Sequence, residues 1–539
     1  MAVKNKATRP LGAQISHMLK DRGVDVIFGI PGVHNQEMYR GIEEAGITHV
    51  LARHEQGAGF MADGYARATG RPGVCYIITG PGLCNAMTPL GQAYSDSVPV
   101  LAISSCLDET AARRGQLHQM RDQESAAACV CDWSHEGRSA EAVYDLVDRA
   151  LYEFQSKRPR PKHIMVPIAL GEAEAHAAPP PCDLPVAPPH LRPMAGAAQV
   201  DKVAGMLRAA TMPLIVYGGG VSQAGAQEAA QSVARKLGAA VFTTYAARGV
   251  VAAGYPLNYG ASLPRPDSAD VIAAADVVLI VGSELAEVDL WRDELGVTGQ
   301  VIRVDLDPAE LDHPRADIAV VSDAKAFLEA LDKSLPEGGE SGWSARDVAA
   351  ARTRWRVENE AERPGIVPVC DALRAALPAD TMIYSDMTQF AYVAKEVWDM
   401  DRPGHWHHPY GFGTLGYALP ASIGGAVARR GKPTVCIAGD YGFQFTLQEL
   451  GVAVELGLSL PILLWDNGKL KEIEDSMVRA QIAPNAVIAH NPDFGMLARA
   501  YGAHAVAPRS LEELRLATQS AFAADRPTLI YMTPALAGG

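Results

Sequence analysis

Short apolar runs alternate with helix-length stretches along nearly the whole chain, and this alternation constrains the fold more than any other feature. In the first third, Val24–Phe28, Val74–Thr79, Val98–Ser104 and His163–Pro167 read as strands, with helical stretches such as Gly57–Thr69 and Ala140–Gln155 among them. Parallel neighbours can be joined only by a long crossover, usually a helix, so the pattern predicts parallel sheets flanked by helices. It recurs with Leu214–Tyr217, Ala240–Thr243, Val277–Val281 and Val301–Asp305. It recurs again with Met382–Ser385, Thr434–Ala438, Ser459–Trp465 and Thr528–Met532. The expected fold class is α/β: one architecture used three times, as doubly wound parallel-sheet domains over residues 1–175, 195–335 and 365–539. The Pro- and Ala-rich stretch 176–194 and the polar stretch 336–364 read as linkers.

The net charge of −14 leaves no electrostatic footprint for nucleic acid or an anionic membrane. No apolar run approaches the ~20 residues of a membrane span. The polar, basic stretch Met1–Pro10 lacks the apolar core of a secretory signal. Eight scattered cysteines include no C-x-x-C pair, so reduced, buried thiols are expected rather than a disulfide framework or a zinc site. A cytoplasmic protein is the expectation.

The chemistry concentrates in the third domain. The strand Thr434–Ala438 runs into Gly439-Asp440-Tyr441-Gly442, followed by a helix-like segment, Thr446–Leu456. The next strand ends in Asp466-Asn467-Gly468-Lys469. Asp440 and Asn467 are 27 residues apart, one strand–helix–strand crossover. That spacing places both side chains at the carboxyl ends of neighbouring strands, where open α/β sheets bind ligands. A carboxylate and a carboxamide are hard oxygen ligands, and with phosphate oxygens and water they suit octahedral Mg²⁺. Gly439 and Gly442 let the backbone approach a diphosphate, and the following helix N-terminus favours its charge. In the first domain, Arg53-His54-Glu55-Gln56-Gly57-Ala58 opens a helix with a carboxylate.

Together with Phe28-Gly29-Ile30-Pro31-Gly32, Thr79-Gly80-Pro81-Gly82 and Gly411 to Pro420, these segments resemble the acetolactate synthase / 2-oxo acid decarboxylase family of thiamine diphosphate enzymes over nearly the whole chain. The resemblance implies a pyrimidine-binding first domain, an accessory central domain and a diphosphate-binding third domain. It also implies self-association, at least a homodimer and often a tetramer, with each cofactor between two chains. Glu55 would hydrogen-bond the aminopyrimidine N1′, so that the 4′-imino nitrogen removes the C2 proton; such a Glu should be buried with a raised pKa. The ylide would attack a 2-oxo acid, CO₂ would leave, and the enamine would be protonated to an aldehyde or attack a second carbonyl. Leu415 would be the wedge beneath the cofactor, and the backbone of Gly413 and Leu415 would contact the aminopyrimidine. Thr388 and Gln389 would lie near the diphosphate, and the Lys469 carbonyl would complete the metal shell. Tyr441 stands where the family has a second glycine, and Asp466 where it has the first of two asparagines.

The substrate end is less defined. His34, after the Pro31-Gly32 turn, and Leu117-His118-Gln119 are candidate pocket residues, and each His is a candidate proton shuttle. His407-His408 is either a loop pair or part of the pocket. The family's flavin-contacting segments are not evident in the central domain, so FAD is not expected. Glu284, Glu287 and Asp289 resemble a segment of 5-guanidino-2-oxopentanoate decarboxylases and could pair with a guanidinium, or form a solvated loop. The substrate is thus a small 2-oxo acid of open identity. A carboligase of the acetolactate synthase type remains an alternative, and a non-catalytic relative a more distant one. Gly218-Gly219-Gly220 admits a nucleotide-binding oxidoreductase, but lacks a full G-x-G-x-x-G.

Overall fold

The computed structural model describes residues 8–108, 114–181 and 192–537, so most of the proline-rich linker and the first seven residues lie outside the described residues. Three six-stranded sheets form, each wholly parallel. The first contains β1 (Val26–Gly29), β2 (Thr48–Leu51), β3 (Gly73–Ile77), β4 (Val100–Cys106), β5 (Trp133–Glu136) and β6 (Lys162–Pro167), in the order β2-β1-β3-β4-β6-β5. The central sheet contains β7 (Pro213–Tyr217), β8 (Ala240–Thr243), β9 (Asn258–Gly260), β10 (Val277–Val281), β11 (Gln300–Asp305) and β12 (Ile318–Val321), in the order β9-β8-β7-β10-β11-β12. The third contains β13 (Met382–Ser385), β14 (Trp406–His407), β15 (Thr434–Gly439), β16 (Pro461–Trp465), β17 (His504–Val506) and β18 (Thr528–Met532), in the order β14-β13-β15-β16-β18-β17. All three domains have the expected doubly wound parallel sheet; the first and third share one winding order and the central sheet has another. Strand–helix alternation satisfies both orders, so periodicity alone does not separate them.

The domains differ in how they share their cores. One apolar cluster runs without a break from Ala58, Met61 and Ala62 in the first domain to Ala418, Leu419 and Ile423 in the third. The central domain keeps separate clusters on the two faces of its sheet. The shared core is built by α1 (Glu55–Thr69), which lies beside α2 (Pro81–Ser95) and crosses the third domain's Ala418–Ala428 helix. At the crossing a Cβ on Gly64 would run into the Ala421 carbonyl, and one on Gly424 into the Met61 carbonyl. The two backbones therefore touch, as small residues allow.

Polar groups lock the same seam. Tyr417 donates to Asp63 at 2.8 Å and Tyr384 to the Gly64 carbonyl at 2.8 Å. The Arg67 guanidinium bridges Asp63 at 2.7 Å and Asp96 at 2.8 Å. Buried charges persist only when paired and hydrogen-bonded in this way. Among the described residues no helix is long and apolar enough to cross a membrane. No disulfide forms among them either, and Cys84 and Cys129 are exposed, against the expectation of uniformly buried thiols.

The crossing gives a signed prediction. Gly424→Ala should lower unfolding stability by about 2 kcal/mol, because overpacking outweighs the helix-propensity gain. Gly205→Ala, where an added Cβ meets open space, should raise it by up to about 1 kcal/mol. Urea midpoints of the two variants check the opposite signs.

Candidate active site

In the third sheet the winding reverses between β13 and β15, which opens a crevice outside their carboxyl ends. Four segments leave strand ends at this edge: Asp386–Gln389 after β13, the Gly411–Leu415 loop after β14, Gly439–Asp440 at the end of β15 and Asp466–Lys469 after β16. Thr388 is the N-cap of α3 (Gln389–Val397), and a Cβ on Gly439 would lie 3.1 Å from its Oγ1. The Gln389 Oε1 accepts from Asn467 at 3.4 Å, while its Nε2 donates to Glu472 at 2.8 Å. One expected diphosphate residue, Gln389, therefore touches one expected metal ligand, Asn467.

The expected helix Thr446–Leu456 is corrected by the structure. A short helix, Asp440–Phe445, begins within the motif, followed by a 3₁₀ turn, Leu447–Glu449, and the helix Leu450–Glu455. Asp440 and Tyr441 are the first two residues of the motif helix, and the Tyr441 ring lies 5.8 Å from that of Phe445. Asp440 is 4 % exposed. The Asn491 amide donates to Asp440 at 2.6 Å and to Asp466 at 2.9 Å, holding the two carboxylates side by side. Burial pushes the Asp440 carboxyl up to about 6, against the Asn491 hydrogen bond, and the Asp466 charge adds to the rise. Asp466 also accepts from Gly468 N and the Tyr531 hydroxyl, both at 2.8 Å. The Asn467 Oδ1 accepts from Lys469 N at 3.2 Å, and the Lys469 ammonium turns to Glu474 at 3.1 Å.

The loop carrying Gly413 and Leu415 is held from beneath. Asp386, 1 % exposed, accepts from Gly416 N at 2.9 Å and from Met387 N at 2.9 Å, and burial pushes its carboxyl up to about 7. Thr446 donates to the Gly416 carbonyl at 2.8 Å. A Cβ on Gly442 would meet Asp386 Oδ2 at 2.9 Å and the Leu415 Cδ2 at 3.5 Å, so the loop sits directly on the motif helix. Gly413 has φ +65°, a left-handed conformation that glycine adopts without strain.

In the first sheet the reversal falls between β1 and β3, and Glu55 opens α1 just beyond β2. Its carboxyl is 9 % exposed, accepts from Asn85 Nδ2 at 2.9 Å, and lies close to Gly82. The expected burial of Glu55 is met. Beside it lies Glu449, wholly buried, whose oxygens accept from Arg53 N at 3.1 and 3.2 Å. Burial pushes the Glu449 carboxyl up to about 7, and the nearby Glu55 adds to the rise. His34 and His118 stand edge to face with ring centroids 4.8 Å apart, so two separately predicted residues form one pair. His118 lies at φ +61°, its carbonyl packed against Gly80, and burial and His118 push the His34 imidazole pKa down. Gln119 accepts from Gln116 N at 3.3 Å in the same turn.

Other candidates are used differently. Glu284 pairs with Arg158 at 2.5 Å, Asp289 accepts from Tyr245 N at 3.2 Å, and only Glu287 is exposed. The acidic segment is therefore not one solvated loop: Glu284 and Asp289 both lie in the wall of one cavity of about 540 Å³. His407 ends β14 and His408 is 1 % exposed with Nδ1 on Ser385 Oγ at 3.0 Å, so the pair is not a free loop. At Gly218-Gly219-Gly220 the Gly220 amide donates to the Gly282 carbonyl at 2.9 Å. Asn85, Asp386, Glu449 and Asn491 escape sequence reasoning. Asp386 alone carries a signal there, as an acid directly after a strand.

Residues 9–126 match the family model for the thiamine pyrophosphate enzyme N-terminal TPP binding domain, 200–331 the central domain and 386–532 the C-terminal TPP binding domain. The fold and the two strand-end sites thus define the class, and the chain belongs to the thiamine pyrophosphate enzyme family. Among its relatives is a Pseudomonas aeruginosa protein named as a probable 2-ketoarginine decarboxylase, 41 % identical over 100 % of this chain and 96 % of that protein. The Escherichia coli acetolactate synthase isozyme 2 large subunit is 30 % identical over 97 % of this chain and 95 % of its own length. An acetolactate synthase of Mycobacterium bovis is 30 % identical over 91 % and 82 %.

Glu449 gives a pH prediction. Its folded pKa of about 7 lies above the ordinary 4.5. A carboxyl shifted upward contributes stability below its unfolded pKa and loses it as pH rises through the folded one. Glu449→Gln should therefore gain on the parent protein between about pH 4.5 and 7, by up to about 3 kcal/mol, and run level above that. Denaturation midpoints across this range check it.

Proposed function

We propose that this chain is a thiamine diphosphate- and Mg²⁺-dependent 2-oxo acid decarboxylase, cytoplasmic and at least dimeric, acting on 5-guanidino-2-oxopentanoate or another long 2-oxo acid. One observation carries it: two oxygen-bearing side chains, Asp440 and Asn467, follow the carboxyl ends of two adjacent paired strands of one TPP-binding domain, and a buried carboxyl, Glu55, opens the helix of the other. The donor set fits Mg²⁺, which prefers hard oxygens, and Gly439 and Gly442 bring the motif backbone close against Thr388 and Asp386, where a diphosphate would be cradled by backbone amides. The relative named for 2-ketoarginine supports the substrate.

When bound, thiamine diphosphate would supply a carbon nucleophile and a sink for the electron pair left on the substrate carbon as CO₂ departs. Asp440, Asn467 and the Lys469 carbonyl hold the metal. Thr388, Gln389 and the backbone of Gly439, Tyr441 and Gly442 hold the diphosphate. Gly413 and Leu415 seat the aminopyrimidine. Glu55 holds a proton at the aminopyrimidine N1′, with Asn85 fixing its other oxygen. In a dimer, Glu55 of one chain serves the cofactor held by the other. The His34–His118 pair, with Gln119, delivers the proton that completes the aldehyde.

A carboligase reading is favoured by the acetolactate synthases among the relatives. Assaying CO₂ release and products from pyruvate and 5-guanidino-2-oxopentanoate separates the two. Aldehyde from the guanidino acid supports decarboxylation, and acetolactate from pyruvate overturns it. Glu55→Gln should keep cofactor binding while slowing C2 proton exchange at least about 10²-fold; unchanged exchange removes Glu55 from the role. Asp440→Ala should abolish Mg²⁺-dependent cofactor binding in calorimetry.

A further inference from the structure

Two cations lie buried without partners where the central domain meets the third. Arg248, just past β8, and Lys395, on α3, are each 6 % exposed. Among the described residues neither has a carboxylate oxygen within 4.0 Å. Arg248 spends its Nε on the Tyr245 carbonyl at 3.3 Å, and its two terminal nitrogens are buried beside the Tyr410 hydroxyl without completing a hydrogen bond of normal geometry. Its guanidinium lies 4.3 Å from the Trp406 ring centre. The Lys395 ammonium lies 4.1 Å from the Tyr245 ring centre, 5.3 Å from Tyr392 and 5.8 Å from Tyr410. His408, whose ring lies 5.4 Å from that of Tyr410, has an unpartnered buried Nε2.

The nearby carboxylates are committed elsewhere. Glu396 pairs with Arg265 at 2.5 Å, Asp96 with Arg67 at 2.8 Å, and Asp399 with Arg352 at 2.6 Å. Asp289 accepts from Tyr245 N. Ring faces offset part of an ammonium's lost hydration but do not satisfy guanidinium N–H groups. An unpaired buried charge is costly, and a positive pair compounds the cost. Accordingly burial, with the Arg248 charge adding, pushes the Lys395 ammonium down to about 7. A cavity of about 540 Å³ among the three domains has Trp406 and Tyr410 in its wall, along with Asp289 and Glu284; Arg248 and Lys395 stand next to these two rings and not in the wall itself.

We propose that Arg248 and Lys395, with His408 Nε2, form an anion subsite for the carboxylate or phosphate group of a small molecule entering through this cavity. It is separate from the strand-end site of Asp440 and Asn467. The bound oxygens accept from the free guanidinium nitrogens and the ammonium, completing charge-assisted hydrogen bonds that the protein leaves unmade.

The test uses the holoenzyme with inorganic phosphate, acetate or pyruvate as probe, at constant ionic strength. At least one probe should raise the melting temperature saturably, as a ligand bound only to the folded state does. Lys395→Met and Arg248→Gln should each weaken the apparent Kd at least tenfold. In probe-free buffer Lys395→Met should melt no lower than the parent. An effect of acetate and pyruvate alone assigns a carboxylate ligand, and an effect of phosphate alone a phosphate-bearing one; both support the subsite. No saturable effect on the parent, or an equal effect on both variants, overturns it. So does an effect lost in Asp440→Ala but kept in Lys395→Met, which would place the anion at the cofactor site. Should neither variant fold, bromide-soaked crystals of the parent decide by anomalous density at, or absent from, the Arg248–Lys395 gap.

Discussion

Two helices touch backbone to backbone at Gly64 and Gly424, and the placement of every other site element depends on that contact. It draws the first and third sheets onto one continuous apolar core. Side chains at the crossing would separate the helices. They would also break the hydrogen bonds from Tyr384 to the Gly64 carbonyl and from Tyr417 to Asp63. The Asp63–Arg67–Asp96 chain runs outward from the crossing, and Asp96 accepts from Tyr410 N and Gly411 N at the root of the loop carrying Gly413 and Leu415. A packing contact thereby positions the loop proposed to seat the cofactor.

Burial also sets the chemistry at both crevices. Asp386, Asp440 and Glu449 are each carried out of water, and desolvation raises each carboxyl pKa despite hydrogen bonds that oppose the rise. They act differently because their neighbours differ. Asp386 accepts backbone amides and fixes a loop. Asp440 shares the Asn491 amide donor with Asp466, which holds the two carboxylates together. Glu449 braces the residues immediately before Glu55.

The central domain follows a different strand order and keeps its own cores, and polar contacts tie it to its neighbours. Arg158 of the first domain reaches Glu284 and Glu310 at 2.5 Å each. Arg265 reaches Glu396 of the third domain at 2.5 Å. At its switch point the Gly220 amide is spent on the Gly282 carbonyl, and the adjoining cavity is walled by residues of all three domains. A seam of this kind leaves charged groups facing one another across domains, and Arg248 and Lys395 remain unmatched there.

By itself the sequence determined the local things. Strand positions are legible because parallel strands covered on both faces are continuously apolar, and Ala240–Thr243, Val277–Val281 and Thr528–Met532 form just as their pattern predicts. The spacing of Asp440 and Asn467 is legible because one crossover has a narrow range of lengths. The central sheet's order, the pairing of His34 with His118, the Asn491 bridge, the Glu449 brace and the Arg158 clamp on Glu284 were decided only by tertiary structure. Each joins residues whose separation along the chain bears no fixed relation to their separation in space, and no periodicity encodes such a contact. The motif helix beginning at Asp440 belongs with these: the Gly413–Leu415 loop, tied through Gly416 to Asp386 and Thr446, packs against it at Gly442.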